Sequence, residues 1–147
     1  MNEKSDIPLF VSVITVLLGC YDLLRGTMHT LHTEYTSFNL ETLTVASPMA
    51  GDLLHLLSIF GVSNYIIGVM LILIALKARG LALVMLAIIP FFYMLAMLAT
   101  KTSLAAFTES QTVFTGTTSL FIYLFVCFFT FLAGLTGMLY NKNNKNE

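Results

Sequence analysis

Four long apolar segments separated by polar stretches dominate this chain of 147 residues. About 20 apolar residues, each adding about 1.5 Å of helix, are enough to cross the hydrocarbon layer of a bilayer. Lipid offers no partner for backbone N–H and C=O groups, so we expect all four segments to be helices. The predicted spans are 7–24, 53–76, 81–100 and 117–140, with a long loop over 25–52 and a disordered polar tail over 141–147.

The composition favours a single membrane domain over 1–147. Hydrophobic residues make up 57% of the chain and charged residues 10%, and the mean hydropathy is +0.86. A soluble domain, in contrast, carries about 25% charged residues. Only a tight turn separates the second and third spans, so these two should form an antiparallel hairpin. The simplest arrangement is therefore an all-α, up-down-up-down antiparallel four-helix bundle in the membrane.

The lysine and arginine residues are unevenly distributed between the two sides of the predicted bundle. If the chain crosses the membrane four times, five of the seven fall on one side. Cytoplasmic segments carry the excess of basic residues, so we expect both termini in the cytoplasm and the loop over 25–52 outside. The five are Lys4, Lys77, Arg79, Lys142 and Lys145, and the other two are Arg25 and Lys101. The expected location is a bacterial plasma (inner) membrane.

Ionisable side chains gather where the first span leaves the membrane. Asp22, Arg25, His29 and His32 follow one another at helical spacing and would occupy an arc of roughly 80° on a continuing helix. We therefore expect the first helix to extend beyond the membrane boundary as an amphipathic segment, or to bend at Gly26 and lie along the interface.

The second span contributes ionisable groups to the same region. Asp52 and His55 are three residues apart near its outward end, and Glu34 lies in the preceding loop. All three histidines of the chain are thus predicted at the outer boundary. We call these seven residues the polar cluster: Asp22, Arg25, His29, His32, Glu34, Asp52 and His55.

Two interpretations of the polar cluster are open. Its charges would orient the protein and tie the first span to the second, with Asp22 and Arg25 forming an ion pair. Alternatively, the cluster binds a small molecule, a lipid head group or an ion, because ionisable groups inside a membrane are functional candidates. Between the polar cluster and the cytoplasmic ends of the spans there is no acidic, basic or histidine residue, so coupled ion transport is not expected.

A rival interpretation is a subunit of a membrane oxidoreductase. A transition metal such as zinc or copper would use His29, His32 and His55, with Asp52 or Glu34. Haem would need two facing histidines, namely His55 with His29 or His32, and a quinone would need an apolar pocket. No residue pattern identifies a catalytic group, so the leading prediction is a non-catalytic accessory or ligand-binding protein.

Three residues in the middle of the spans predict the inner wall of a pocket. Asn64 needs a hydrogen-bond partner in the membrane, and Tyr93 or Thr130 is the expected one. Pro90 removes one helical hydrogen bond and is expected to kink the third span. Asn64, Pro90 and Tyr93 would then line a pocket with the polar cluster at its mouth.

The order of apolar blocks resembles the hydropathy profile of small four-span bacterial membrane proteins of the DoxX-like kind. The resemblance covers the whole chain as a profile, and it implies a four-helix membrane fold with the oxidoreductase subunit as an alternative function. It assigns no role to individual residues. The net charge is −1 with no basic cluster, so nucleic acid is not an expected partner. The expected partner is the lipid bilayer, and homo-oligomerisation or association with other membrane subunits is left open.

Overall fold

The computed structural model describes residues 6–37, 50–103 and 116–144. Within these ranges the regular elements are all helices, with no strand. The helices are α1 (Leu9–Leu31), a short α2 (Thr33–Tyr35), α3 (Ala50–Lys77), α4 (Arg79–Ser103) and α5 (Gly116–Asn143). The predicted all-α fold is confirmed.

Four of these helices are long and apolar enough to cross a membrane, namely Leu9–Leu31, Gly51–Lys77, Arg79–Ala99 and Thr118–Asn143. Large apolar side chains remain exposed on each of them, and Leu17, Ile66, Met94 and Phe125 are 60–64% exposed. Such exposure costs about 25 cal/mol per Å² in water, but lipid tails are as apolar as the side chains themselves. The chain is therefore an integral membrane protein.

The first helix differs from its predicted span at its C-terminal end. α1 continues past Leu24 to Leu31 and passes through Gly26 without a break. Of the two expected alternatives, the structure has the extended helix and not the bend. After His32 the chain forms α2 and one further turn, in which the Thr36 N–H donates to the His32 carbonyl at 2.9 Å.

The last helix also exceeds its predicted span. α5 runs to Asn143, so residues 141–143, which we assigned to a disordered tail, are helical. The Asn144 N–H donates to the Tyr140 carbonyl at 3.2 Å, and the Asn141 amide donates to the Asp6 carbonyl at 2.9 Å. Polar composition did not end the helix because the backbone hydrogen bonds of a last turn are local and need no apolar side chain.

Two pairs of glycines bring α1 and α3 into backbone contact. A Cβ added at Gly19 would lie 2.8 Å from the Gly68 carbonyl oxygen, and one added at Gly68 would lie 2.7 Å from the Gly19 oxygen. Gly26 and Gly61 face one another in the same way, at 3.0 Å. This pairing order means that the two helices run in opposite directions. Small residues allow helices in a membrane to approach closely and to form weak Cα–H···O contacts.

α1 lies between the other long helices and contacts α3, α4 and α5. A Cβ at Gly137 would meet Pro8, and one at Gly134 would meet Val11, so α5 runs antiparallel to α1. The most deeply buried apolar side chains, each 0–1% exposed, are Val11, Leu71, Ala82, Leu86 and Cys127. The up-down-up-down order of the four spans across a bilayer stays a prediction.

Candidate functional site

The polar residues of α1 lie along one buried face. Ser12, Thr15, Asp22 and His29 are 0–7% exposed, and their separations of three and seven residues place them on one side of the helix. This face meets other helices rather than lipid. Its most polar part is at the end of α1 where α3 begins. We call this the distal end, meaning Asp22–Leu31 of α1 and the residues of α3, α4 and α5 that face them.

The Asp22 carboxyl group is held by α5. The Tyr123 hydroxyl donates a hydrogen bond to Asp22 Oδ2 at 2.8 Å, and both side chains are buried. A buried carboxyl group requires such a partner because burying it unpaired is costly. The hydrogen-bond partner of Asp22 is Tyr123, whereas Arg25, proposed as an ion-pair partner in one of the two interpretations, interacts with Asp22 only electrostatically. Tyr123 was missed from the sequence, where its hydroxyl within an apolar span was the only signal.

The Arg25 guanidinium lies over an aromatic ring instead of a carboxylate. Its central carbon is 5.3 Å from the centroid of the Phe60 ring on α3, in the geometry of a cation–π contact. Within the described ranges the guanidinium forms no ion pair and no hydrogen bond. A cation–π contact uses none of the five N–H donors of a guanidinium in a conventional hydrogen bond. Arg25 therefore retains its capacity to bind an anion.

His29 is buried against α3. Its Nδ1 lies 3.3 Å from Asn64 Nδ2, and the two side chains are 4% and 2% exposed. The His29 ring also lies 5.9 Å from the Phe60 ring. Asn64 was expected to bond with Tyr93 or Thr130, and that prediction is wrong because α1, not α4 or α5, packs closest to α3 at this level.

A second polar contact joins the same two helices. The Tyr65 hydroxyl donates to Thr27 Oγ1 at 3.0 Å and lies 3.3 Å from Thr30 Oγ1. Both threonines also donate to backbone carbonyls of their own helix, at 2.9 and 2.8 Å. Neither threonine was predicted for the site. Their positions one turn apart on the α3 side of α1 hold the Tyr65 ring beside Gly26.

The remaining members of the polar cluster are not drawn into the distal interior. His32, Glu34, Asp52 and His55 are all exposed. Asp22, Arg25 and His29 thus form the inner part of the predicted cluster, each with a different partner. Exposure does not show whether the other four side chains face this inner part, so the convergence of all seven residues on one site stays a prediction.

The predicted metal site is not assembled among the described residues, which contain no group of three His, Cys, Asp or Glu side chains that could hold a metal ion. His29 faces Asn64 within the interior, whereas His32 and His55 are exposed. The three imidazoles do not share one environment. The same separation removes the basis for joint haem ligation by His55 with His29.

The predicted inner wall is divided between two regions. Pro90 lines a groove of ≈ 580 Å³ between α4 and α5, which we call the α4–α5 groove. Its ten lining residues are all apolar, and they include neither Asn64 nor Tyr93. Tyr93 packs against the core of the bundle instead, and Asn64 lies at the contact of α1 with α3. Neither groove described here is lined by all three residues, and their common pocket stays a prediction.

Another groove lies between α1 and α5, and we call it the α1–α5 groove. It has a volume of ≈ 470 Å³ and is lined between Ile14 and Tyr21 on one helix and between Ser119 and Val126 on the other. The rings of Tyr21 and Tyr123 pack at its distal end, with their centroids 5.8 Å apart. The three hydroxyl groups among the lining residues all lie toward that end, and the rest of the lining is apolar.

These contacts limit what the distal end can do. Two buried polar groups satisfy their hydrogen bonds across helix contacts, Asp22 with Tyr123 and His29 with Asn64. Among the described residues no hydrogen bond or ion pair occupies the N–H donors of Arg25, which lies beside these pairs, so the arrangement is suited to binding an anion. Comparison of the chain with protein-family models, with curated proteins and with solved structures found no match.

Proposed function

We propose that this chain is a non-catalytic accessory or ligand-binding protein of a bacterial plasma membrane. Its ligand is a small amphiphile or ion with an anionic group, bound at the distal end. The observation that supports this function is the Arg25 guanidinium, stacked on Phe60 with no carboxylate bound to it among the described residues.

The position of Arg25 along α1 makes its free donors unusual. Arg25 lies 16 residues after Leu9, the first residue of the helix, which corresponds to about 24 Å of helix. If Leu9 lies at the inner edge of the hydrocarbon layer, which is about 30 Å thick, the guanidinium lies within that layer or at its outer edge. Arginines at this depth pair with a charge or mark a ligand site. Asp22 interacts electrostatically with Arg25 but forms no ion pair with it within the described ranges, so the N–H donors of the guanidinium remain available to an external anion.

The orientation in the membrane is part of the proposal. Five of the seven basic residues lie on the side of the two termini and the α3–α4 turn, and this excess supports a cytoplasmic location for both termini. The distal end would then face outward. Single cysteines placed at either end and labelled with a membrane-impermeant reagent in intact cells would test this orientation, and labelling at the Lys77–Arg79 turn would contradict it.

The test of function compares an anionic with a zwitterionic amphiphile. The full chain, purified in a neutral maltoside detergent, is titrated with dodecyl phosphate and with dodecylphosphocholine. We expect tighter binding of the anionic probe, and we expect Arg25→Gln to weaken it by about tenfold, as for one hydrogen bond to a charged group. His55→Ala is the matched control, because His55 is exposed at the same end. Equal binding by wild type and Arg25→Gln would contradict the proposed function.

A further inference from the structure

We infer that the ligand at Arg25 is an anionic phospholipid, with its phosphate at the guanidinium and one hydrocarbon chain in the α1–α5 groove. This inference rests on the proposed function, because it uses the same arginine. It adds the chemical class of the ligand and a second, separate part of the site.

The groove and the arginine are continuous along α1. Tyr21 lines the distal part of the groove, and Arg25 follows it by four residues, which places the two side chains on one face of the helix, one turn apart. On α5, Ser119 comes one turn before Tyr123. Because α5 runs antiparallel to α1 and Tyr123 bonds to Asp22, Ser119 lies at the level of Arg25. The distal end of the groove therefore opens beside the guanidinium.

The order of the lining residues along the groove matches the direction of a lipid. The hydroxyl-bearing lining residues are Tyr21, Ser119 and Tyr123, toward the distal end, whereas Ile14 and Val126 mark the apolar end toward the middle of the bilayer. A phospholipid of the distal leaflet has the same arrangement, with its polar group at the boundary and its chain directed inward. A free inorganic anion would use the arginine and leave the groove unused.

Charge complementarity selects an anionic head group over a zwitterionic one. The Arg25 guanidinium lies over the Phe60 ring, and the edge formed by its N–H donors is the part that can meet a ligand. That edge matches the oxygens of a phosphate, which it can bind through two parallel hydrogen bonds. A choline head group adds a cation near the guanidinium, and this repulsion offsets part of the gain.

The larger α4–α5 groove serves as an internal comparison. All of its lining residues are apolar, so no charge in its lining distinguishes one head group from another. Lipid chains that occupy it are expected to show no head-group preference. Head-group selectivity should therefore depend on the α1–α5 groove and on Arg25, and not on the α4–α5 groove.

The experiment measures bound lipid by native mass spectrometry of the full chain, with phosphatidylglycerol and phosphatidylcholine of identical acyl chains. Leu17→Trp fills the α1–α5 groove, and Met94→Trp fills the α4–α5 groove. Met94→Trp is the matched control for Leu17→Trp. Leu17 and Met94 are 62% and 64% exposed, and each lines its own groove. Ile122→Trp, at a position 61% exposed on the other wall of the α1–α5 groove, is a second variant in case Leu17→Trp does not fold.

We expect wild type and Met94→Trp to prefer phosphatidylglycerol by about tenfold, because both lipids offer the same phosphate oxygens but only phosphatidylcholine brings a cation beside the guanidinium. Leu17→Trp and Ile122→Trp should lose most of this preference. If both groove variants keep it while Arg25→Gln abolishes it, the groove inference is overturned and the proposed function stands. If Arg25→Gln keeps the preference, both are wrong. Two other results would also overturn the inference. One is displacement of phosphatidylglycerol by inorganic phosphate at equal concentration. The other is a change of oligomeric state in the groove variants without loss of lipid.

Discussion

Replacing Gly19 with alanine is expected to force α1 and α3 apart. The added Cβ would lie 2.8 Å from the Gly68 carbonyl oxygen, whereas ordinary van der Waals contacts begin at 3.4 Å. Backbone atoms cannot turn aside as a side chain does, so the helices must separate by about 0.6 Å, the difference between these distances. A gap of this size forfeits about a quarter to a half of the dispersion energy along the contact.

The expected change in the free energy of unfolding follows from two opposing effects. Overpacking of this kind costs about 1–3 kcal/mol, and the better helix propensity of alanine returns up to about 1 kcal/mol. We therefore expect Gly19→Ala to destabilise the protein by about 1–2 kcal/mol. The measurement is unfolding of the purified chain with increasing mole fractions of dodecyl sulfate, followed by circular dichroism.

Gly80→Ala is the matched control. A Cβ at Gly80 would meet only Ile7 Cδ1 at 3.8 Å, which is an ordinary contact. This variant should keep or slightly increase stability, because only the helix propensity changes. If Gly19→Ala proves as stable as Gly80→Ala, the backbone contact between α1 and α3 is refuted. Gly68→Ala should lower the free energy of unfolding less in the Gly19→Ala background than in wild type, since the two positions share one contact.

Three further predictions concern the buried polar contacts. Tyr123→Phe should destabilise the protein by about 1–3 kcal/mol, because the Asp22 carboxyl group stays buried without its donor, and the same unfolding assay would show no change if that hydrogen bond were absent. Asn64→Leu should lower the free energy of unfolding by a similar amount, because it deprives the buried His29 of a partner. Its control is Ser63→Leu at the adjacent exposed position, which should change stability by less than about 0.5 kcal/mol. Equal effects of the two variants would contradict the contact between Asn64 and His29. Because the three histidines lie in different environments, elemental analysis and an absorption spectrum of the purified protein should show neither a stoichiometric transition metal nor a Soret band, and finding either would contradict the structural argument.

The membrane class and the four helices follow from sequence alone because lipid imposes the same demand on every spanning segment. A segment must be apolar over about 20 residues and must pair its own backbone, and both properties can be counted along the chain. The ends of the helices are harder to predict, as α1 and α5 show. Asp22 and His29 interrupt the apolar run without ending the helix, because they point into the protein.

The partners of the polar residues depend on packing and cannot be read from their order. The helical period places Asp22 and His29 on one face of α1, but it does not say which helix covers that face. The answer is Tyr123, 101 positions away, and Asn64, 35 positions away. Hydropathy does not distinguish a lipid-facing side chain from an interior one, because both surroundings are apolar. The close approach at the glycine pairs sets the register of α1 on α3, and this register buries His29 while His55 stays exposed.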